Sequence, residues 1–202
     1  MSKLNHNWET TVIIGSGPSL TKAQVDYVYE SEATVIAVND SYKLCPWADM
    51  VFACDVKWWI HNREGISYHP NCWTLEDIGC HFNKRFDRPI LNEIPYTTEF
   101  GIYSDKVHHA SNSGYVAIQV ARILGAKKII LIGFDHQHTD NKRHWFGDHD
   151  KKVFSKNADN VDKWVTDIDH LLLHMSDVDI VNCSLQTAIT GCRRSFIENE
   201  LR

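Results

Sequence analysis

The sequence predicts an α/β fold in which a parallel sheet forms the middle of three layers and carries an irregular insertion. Three observations predict it. Short apolar runs are continuous rather than alternating, helix-compatible segments lie between them, and each run ends in small or polar residues.

Taken in order, the first run is "TVIIG" at 11–15, which breaks into Gly15-Ser16-Gly17-Pro18-Ser19 and then into a helical segment, 21–32. "TVIAVND" at 34–40 and "ADMVFACD" at 48–55 repeat the pattern. The stretch 56–109 is rich in Trp, His, Asn and Pro without strong periodicity, so it is expected to be an irregular insertion or lid with short helices over the carboxyl end of the sheet. At 113–126 lies the clearest helix: Tyr115, Ile118 and Ala121, with Val116, Val120 and Leu124, make a broad apolar face, and Gly125 stands where a C-terminal cap belongs. "KIILIGFD" at 128–135 is the longest strand, and a helix at 160–175 and a strand at 178–184 complete the sheet. Right-handed alternation of this kind makes a Rossmann-like single domain over 1–202, expected to bind a nucleotide.

With 202 residues and 43% apolar content the chain can bury one good core. A formal charge of -5 offers no electrostatic footprint for duplex nucleic acid. Six cysteines without a CxxC pair read as free thiols in a reducing cytoplasm. No apolar run approaches the ~20 residues of a membrane span, and "MSKLNHNWETT" lacks the apolar core of a signal peptide. A homo-oligomer is compatible with all of this.

The glycine loop is the first functional signal. Pro18 breaks the strand and the Ser19 hydroxyl is placed to cap the next helix, so unpaired amides and the helix dipole would form an anion site without a lysine. The spacing G-x-G-P-S is neither the dinucleotide fingerprint nor the Walker loop. The other reading is a tight strand-to-helix turn. Its company favours the ligand: Asn39, Asp40, Asp55 and Asp135 all stand at carboxyl ends of strands, where such sheets present their chemistry, although one such residue alone would as readily cap a turn. Ser111, Asn112, Ser113 and Gly114 open the clear helix and make a second candidate for an anion or sugar hydroxyl, or an ordinary cap.

"VIIGSGPSL", "IAVND" and "SNSGYVAIQVARILGAKKIILIGFD", in that order, resemble the bacterial sialyltransferases of glycosyltransferase family 42 and the related archaeal-type 6-hydroxymethylpterin diphosphokinases. "GFDHQHTDNKRHWFGDH" resembles small proteins encoded by tailed bacteriophages, which would put the chain in a host cytoplasm. The resemblance covers 11–55 and 110–150. It implies a cytidine-monophosphate sugar as donor, with Gly15, Ser16, Gly17, Pro18 and Ser19 at its phosphate, Asn39 and Asp55 at the nucleotide, and Ser113 at the donor sugar. The chain departs from the sialyltransferases where their general-base histidine precedes a "SKN" segment, for Phe154 precedes Ser155-Lys156-Asn157 here. Their tyrosine pair at the leaving phosphate has no clear match either.

The histidine-rich loop after the longest strand can fill that role. His144 or His149, with Asp148 orienting a ring nitrogen, are the candidate base, and Lys142 and Arg143 are candidates to neutralise a departing phosphate. The leading expectation is therefore a nucleotide-sugar-dependent glycosyltransferase acting on a small-molecule or glycan acceptor. The alternatives are a pyrophosphoryl or nucleotidyl transferase, with Mg²⁺ bridging Asp135 and the donor phosphates, and a nucleotide-binding protein without catalysis.

Overall fold

The computed structural model describes residues 7–110, 112–139, 141–147 and 160–201. Ten strands are present: β1 (Thr10–Ile14), β2 (Thr34–Val38), β3 (Met50–Phe52), β4 (Cys72–Leu75), β5 (Leu91–Ile94), β6 (Tyr96–Thr97), β7 (Val107–His108), β8 (Lys128–Ile132), β9 (Asp179–Asn182) and β10 (Arg193–Arg194). Eight of them form one sheet in the order β10-β9-β8-β1-β2-β3-β4-β5, and every pairing in it is parallel. β6 and β7 make a separate short pair.

The continuous apolar runs are explained by burial on both faces. Val12 and Ile14 of β1, Val35 and Ala37 of β2 and Ile130 and Ile132 of β8 enter one core. Val25 and Val28 of α1 (Lys22–Tyr29), Trp58, Trp59 and Ile66 of α2 (Val56–Ile66), Phe82 of α3 (Glu76–Asn83) and Ile197 of a short C-terminal helix (Ile197–Glu200) cover that face. Ile13, Ile36, Ile129 and Leu131 point the other way, under Val116, Ile118 and Val120 of α4 (Ser113–Ile123) and Ile168 and Leu171 of α5 (Val161–His174). The result is the Rossmann-like three-layer α/β fold. Among the described residues no helix is long and apolar enough to cross a membrane.

The insertion is more regular than the sequence suggests. Between 56 and 94 the chain runs α2-β4-α3-β5 and adds two strands to the sheet edge, leaving 95–109 as the irregular part of the insertion, around β6 and β7. The pattern is hidden because these strands are four residues long, "CWTL" and "LNEI", and because α2 buries Asn62 among its tryptophans. That amide donates to the Trp58 carbonyl (3.0 Å) and accepts from the Tyr42 hydroxyl (3.3 Å), so its burial is compensated.

Sequence order runs outward from β1 through β2 on one side and from β8 on the other. The connections after β1 and β8 therefore lead to helices on opposite faces of the sheet, α1 and α5, and open α/β sheets form their ligand crevice at such a point.

Candidate functional site

A crevice of about 400 Å³ opens at the carboxyl ends of β1, β2, β3 and β8, in the size range of a small-molecule site. Its first wall is the glycine loop, Gly15 to Pro18. The backbone of that loop lies directly on the loop after β8: the Gly15 and Gly17 N–H groups donate to the Ile132 and Gly133 carbonyls, both at 2.8 Å. A Cβ on Gly17 would sit 2.1 Å from Asp135 Oδ1, and one on Gly15 would sit 2.5 Å from the Gly133 oxygen. These glycines are thus required by the close approach of two loops.

The loop differs from the expected anion cradle. Ser19 turns away from the crevice, its N–H donating to Asp135 Oδ2 (2.7 Å) and its hydroxyl to Asp135 Oδ1 (2.9 Å). Thr21 caps α1 instead, in a capping box with Gln24. Ser16 is the loop residue whose N–H has no partner among the described residues, and it lines the crevice. Its hydroxyl is held by Ser41: Ser41 Oγ donates to the Gly15 carbonyl (2.7 Å), which leaves Ser16 as donor in the 3.1 Å contact between the two hydroxyls.

Asp135, expected to face the ligand, instead fastens the two loops together. It is 1% exposed and takes no part in lining the crevice. Besides Ser19 it accepts from the Thr139 hydroxyl at 3.4 Å. Burial raises its carboxyl above the usual range, and the Ser19 and Thr139 hydrogen bonds oppose that rise. A bridging Mg²⁺ would have to displace these donors, so Asp135 does not fit the metal role. Among the described residues no cluster of three His, Cys, Asp or Glu side chains suits a metal ion.

Asp40 is likewise structural. It is 4% exposed, accepts from Trp58 Nε1 at 2.9 Å and pairs with Lys43. Its neighbour Asn39 does face the crevice, and its backbone is left-handed at φ 51. Asn tolerates that region better than most residues, and its side-chain amide has no partner among the described residues, so it is available to a ligand. Asp55 combines two tasks. Oδ1 accepts from the Lys57 N–H (2.7 Å) and the Trp58 N–H (3.3 Å) to cap α2, and the residue still lines the crevice.

The opposite wall is the start of α4. Asn112 Oδ1 accepts from the Tyr115 N–H (3.1 Å) as N-cap, and the Ser113 hydroxyl accepts from the Cys54 N–H (3.0 Å), tying the helix to the end of β3. Gly114 admits the Phe134 ring, which would lie 2.9 Å from a Cβ there. The Ser113 and Gly114 N–H groups are the first two of the helix and have no intrahelical acceptor, and both residues line the crevice.

From the loop after β8 come Phe134, His136, Gln137, His138, Arg143 and His144. His136 is the most constrained. Its backbone is left-handed (φ 47), its ring stacks on Phe134 at 5.9 Å and stands edge-on to Trp164 at 6.5 Å. Because Asn112 Oδ1 is committed to the α4 cap, Asn112 Nδ2 is the donor to His136 Nε2 (3.3 Å), which places the ring proton on Nδ1. Burial lowers the imidazole to about 4, so it is neutral at pH 7. His144 lies parallel to Phe146 at 5.0 Å. Lys142, expected beside Arg143 at a departing phosphate, is exposed and does not line the crevice. His149, Asp148 and Ser111 lie outside the described residues.

Ser16, Asn39, Asp55, Asn112, Ser113, Gly114, Arg143 and His144 therefore converge as expected with Gly15, Gly17 and Pro18, while Ser19, Asp40, Asp135 and Lys142 do not. Among the described lining residues Asp55 is the one carboxylate and Arg143 the one guanidinium. Trp58, His109, Phe134 and Trp164 also line the crevice. From the sequence the Trp58-Trp59 pair could stack a base or sugar or form the insertion's own small core, and the His108-His109 pair, Phe134 and Trp164 carry no spacing that points to the crevice. Against protein-family models, curated proteins and solved structures, the chain matches none.

Proposed function

We propose that the chain is a transferase that takes a nucleotide-activated sugar in this crevice and passes the sugar to an acceptor hydroxyl. The observation that carries the reading is the meeting, at the switch point of the sheet, of three unengaged N–H groups (Ser16, Ser113 and Gly114) with the unpartnered Asn39 amide. The amides at the start of α4 suit a phosphate, whose charge the helix dipole favours. Asn39 can read donor and acceptor atoms of a base, and the second oxygen of Asp55 can accept from a ribose hydroxyl. Trp164, partly exposed at the crevice, supplies a ring face for the base or sugar. Arg143 lines the same space and would stabilise charge on a departing nucleotide. The resemblance of the glycine loop and the α4 segment to family 42 sialyltransferases favours a cytidine-monophosphate sugar as donor. The fastening of Asp135 weighs against the Mg²⁺-dependent pyrophosphoryl alternative.

The test is thermal unfolding with cytidine, uridine, guanosine and adenosine monophosphates. A ligand at a hundred times its Kd stabilises the folded chain by about 2.7 kcal/mol. For a chain of this size that raises Tm by roughly 5–10 °C. One nucleoside is expected to produce such a shift. No shift with any of the four sinks the proposal.

A further inference from the structure

We propose that His109 is the general base that takes the proton of the acceptor hydroxyl, a role that rests on the transferase reading of the crevice. Four imidazoles line the crevice among the described residues: His109, His136, His138 and His144. A base must keep a ring lone pair unspent and yet hold its ring in one place. His136 fails the first requirement, since its Nε2 accepts from Asn112. His138 is exposed, with no ring contact among the described residues to hold it. His144 lies flat on Phe146 and is engaged in a further interaction besides, whereas His109 is not.

His109 meets both requirements. Its N–H donates to the Thr97 carbonyl (2.9 Å), fixing the backbone beside β7. Its ring stands edge-on to Tyr96, with centroids 5.8 Å apart and planes at 84°. Tyr96 is itself held by donation of its hydroxyl to Asp77 Oδ2 (2.9 Å). Neither ring nitrogen of His109 has a hydrogen-bond partner among the described residues. Burial, and next the charge of neighbouring His108, lower its pKa, so the ring is neutral at pH 7 and ready to accept. Three residues further on, Asn112 begins the helix whose free N–H groups face the donor phosphate. One short segment would then supply both the base and the binding site for the leaving group.

In the step itself the acceptor oxygen bonds to the anomeric carbon and its proton passes to a His109 ring nitrogen. The bond from that carbon to the phosphate oxygen breaks, and its electron pair leaves with the nucleotide. The proton returns to water between turnovers.

The experiment uses the full chain with cytidine-monophosphate-, uridine-diphosphate- and guanosine-diphosphate-linked sugars, with water as acceptor, reading release of free nucleotide. Nucleoside monophosphate binding is followed in parallel by thermal shift. His109→Ala and the polar isostere His109→Gln are expected to keep the thermal shift and to lose release by about a hundredfold or more, the usual worth of a general base. Added imidazole should restore part of the activity of His109→Ala. Release close to that of the unaltered chain, or a loss that imidazole leaves unchanged in a variant that still binds nucleotide, overturns the assignment and leaves donor binding standing. No nucleotide binding by the unaltered chain overturns the donor reading itself. Binding without release from any of the sugars overturns both transfer and base.

Discussion

Gly17→Ala isolates what the glycine loop is for. The added methyl carbon would lie 2.1 Å from Asp135 Oδ1, 2.6 Å from its Cγ and 2.7 Å from the Gly133 oxygen. Since such contacts do not occur under 3.0 Å, the carboxylate must retreat by about 0.9 Å or the loops must separate. Either movement strains the Ser19 N–H bond to Asp135 Oδ2, now 2.7 Å. The Ser19 hydroxyl bond, 2.9 Å, goes with it. Hydrogen bonds to a charged group contribute about 1.5–3 kcal/mol each, part of which the carboxylate regains by taking water. Overpacking adds about 1–3 kcal/mol. A loss of about 3–5 kcal/mol follows, seen as a lower urea midpoint with the slope unchanged. Gly125→Ala is the internal comparison: its φ is 106 with open space around the new methyl, so only backbone strain of about 1–2 kcal/mol is expected. If the two alanine variants unfold at the same urea concentration, close packing is not what the glycine at 17 serves, and the anion-cradle reading of the loop returns.

Two further substitutions test the residues that face the crevice. Asn39→Ala keeps the backbone left-handed and removes the amide, so nucleotide affinity by calorimetry should fall about tenfold, one hydrogen bond's worth, with about 1–2 kcal/mol of added strain; an unchanged Kd would remove Asn39 from the site. His136 has a folded pKa near 4, below the 6.5 of a free imidazole, so the unfolded chain binds the extra proton between those values. Stability from this group is therefore full above about pH 6.5 and declines as pH falls toward 4, by up to about 1.4 kcal/mol per unit. His136→Gln should flatten that limb in urea midpoints taken from pH 7 to 4, and an identical slope in the variant would show that the ring is not held neutral.

The sheet was legible because its central strands are buried on both faces. Val12-Ile13-Ile14 and Ile129-Ile130-Leu131-Ile132 have no solvent side, and a run of that kind has few other homes in a chain of this size. α4 was legible for the same reason, with Gly125 at φ 106 closing it. β4 and β5 were not. They lie toward one edge of the sheet, and "LNEI" exposes Asn92 while burying Leu91 and Ile94, a pattern too short to carry a period. β4 takes its register from β3 and β5 takes its register from β4, a tertiary fact that no local window holds.

At the site the residues that stand out most in the sequence mainly bind the walls to each other. Gly17, Ser19 and Asp135 form one fastening between the loops after β1 and β8, and Asp40 locks Trp58. Such residues need both a type and a position, so they appear as glycines and carboxylates at strand ends, the pattern that also announces a ligand. The groups left for the ligand are inconspicuous by comparison. The Ser113 and Gly114 N–H groups are backbone, Asn39 gains its meaning from a left-handed φ, and His109 is one half of an ordinary histidine pair until Tyr96 fixes its ring. A fastening of this kind still bears on function, because it sets where Ser16 stands relative to α4. Loosening it in Gly17→Ala should weaken nucleotide binding although no atom of Asp135 reaches the crevice. A variant that loses stability but keeps the full nucleotide shift would show that the phosphate is held by α4 alone.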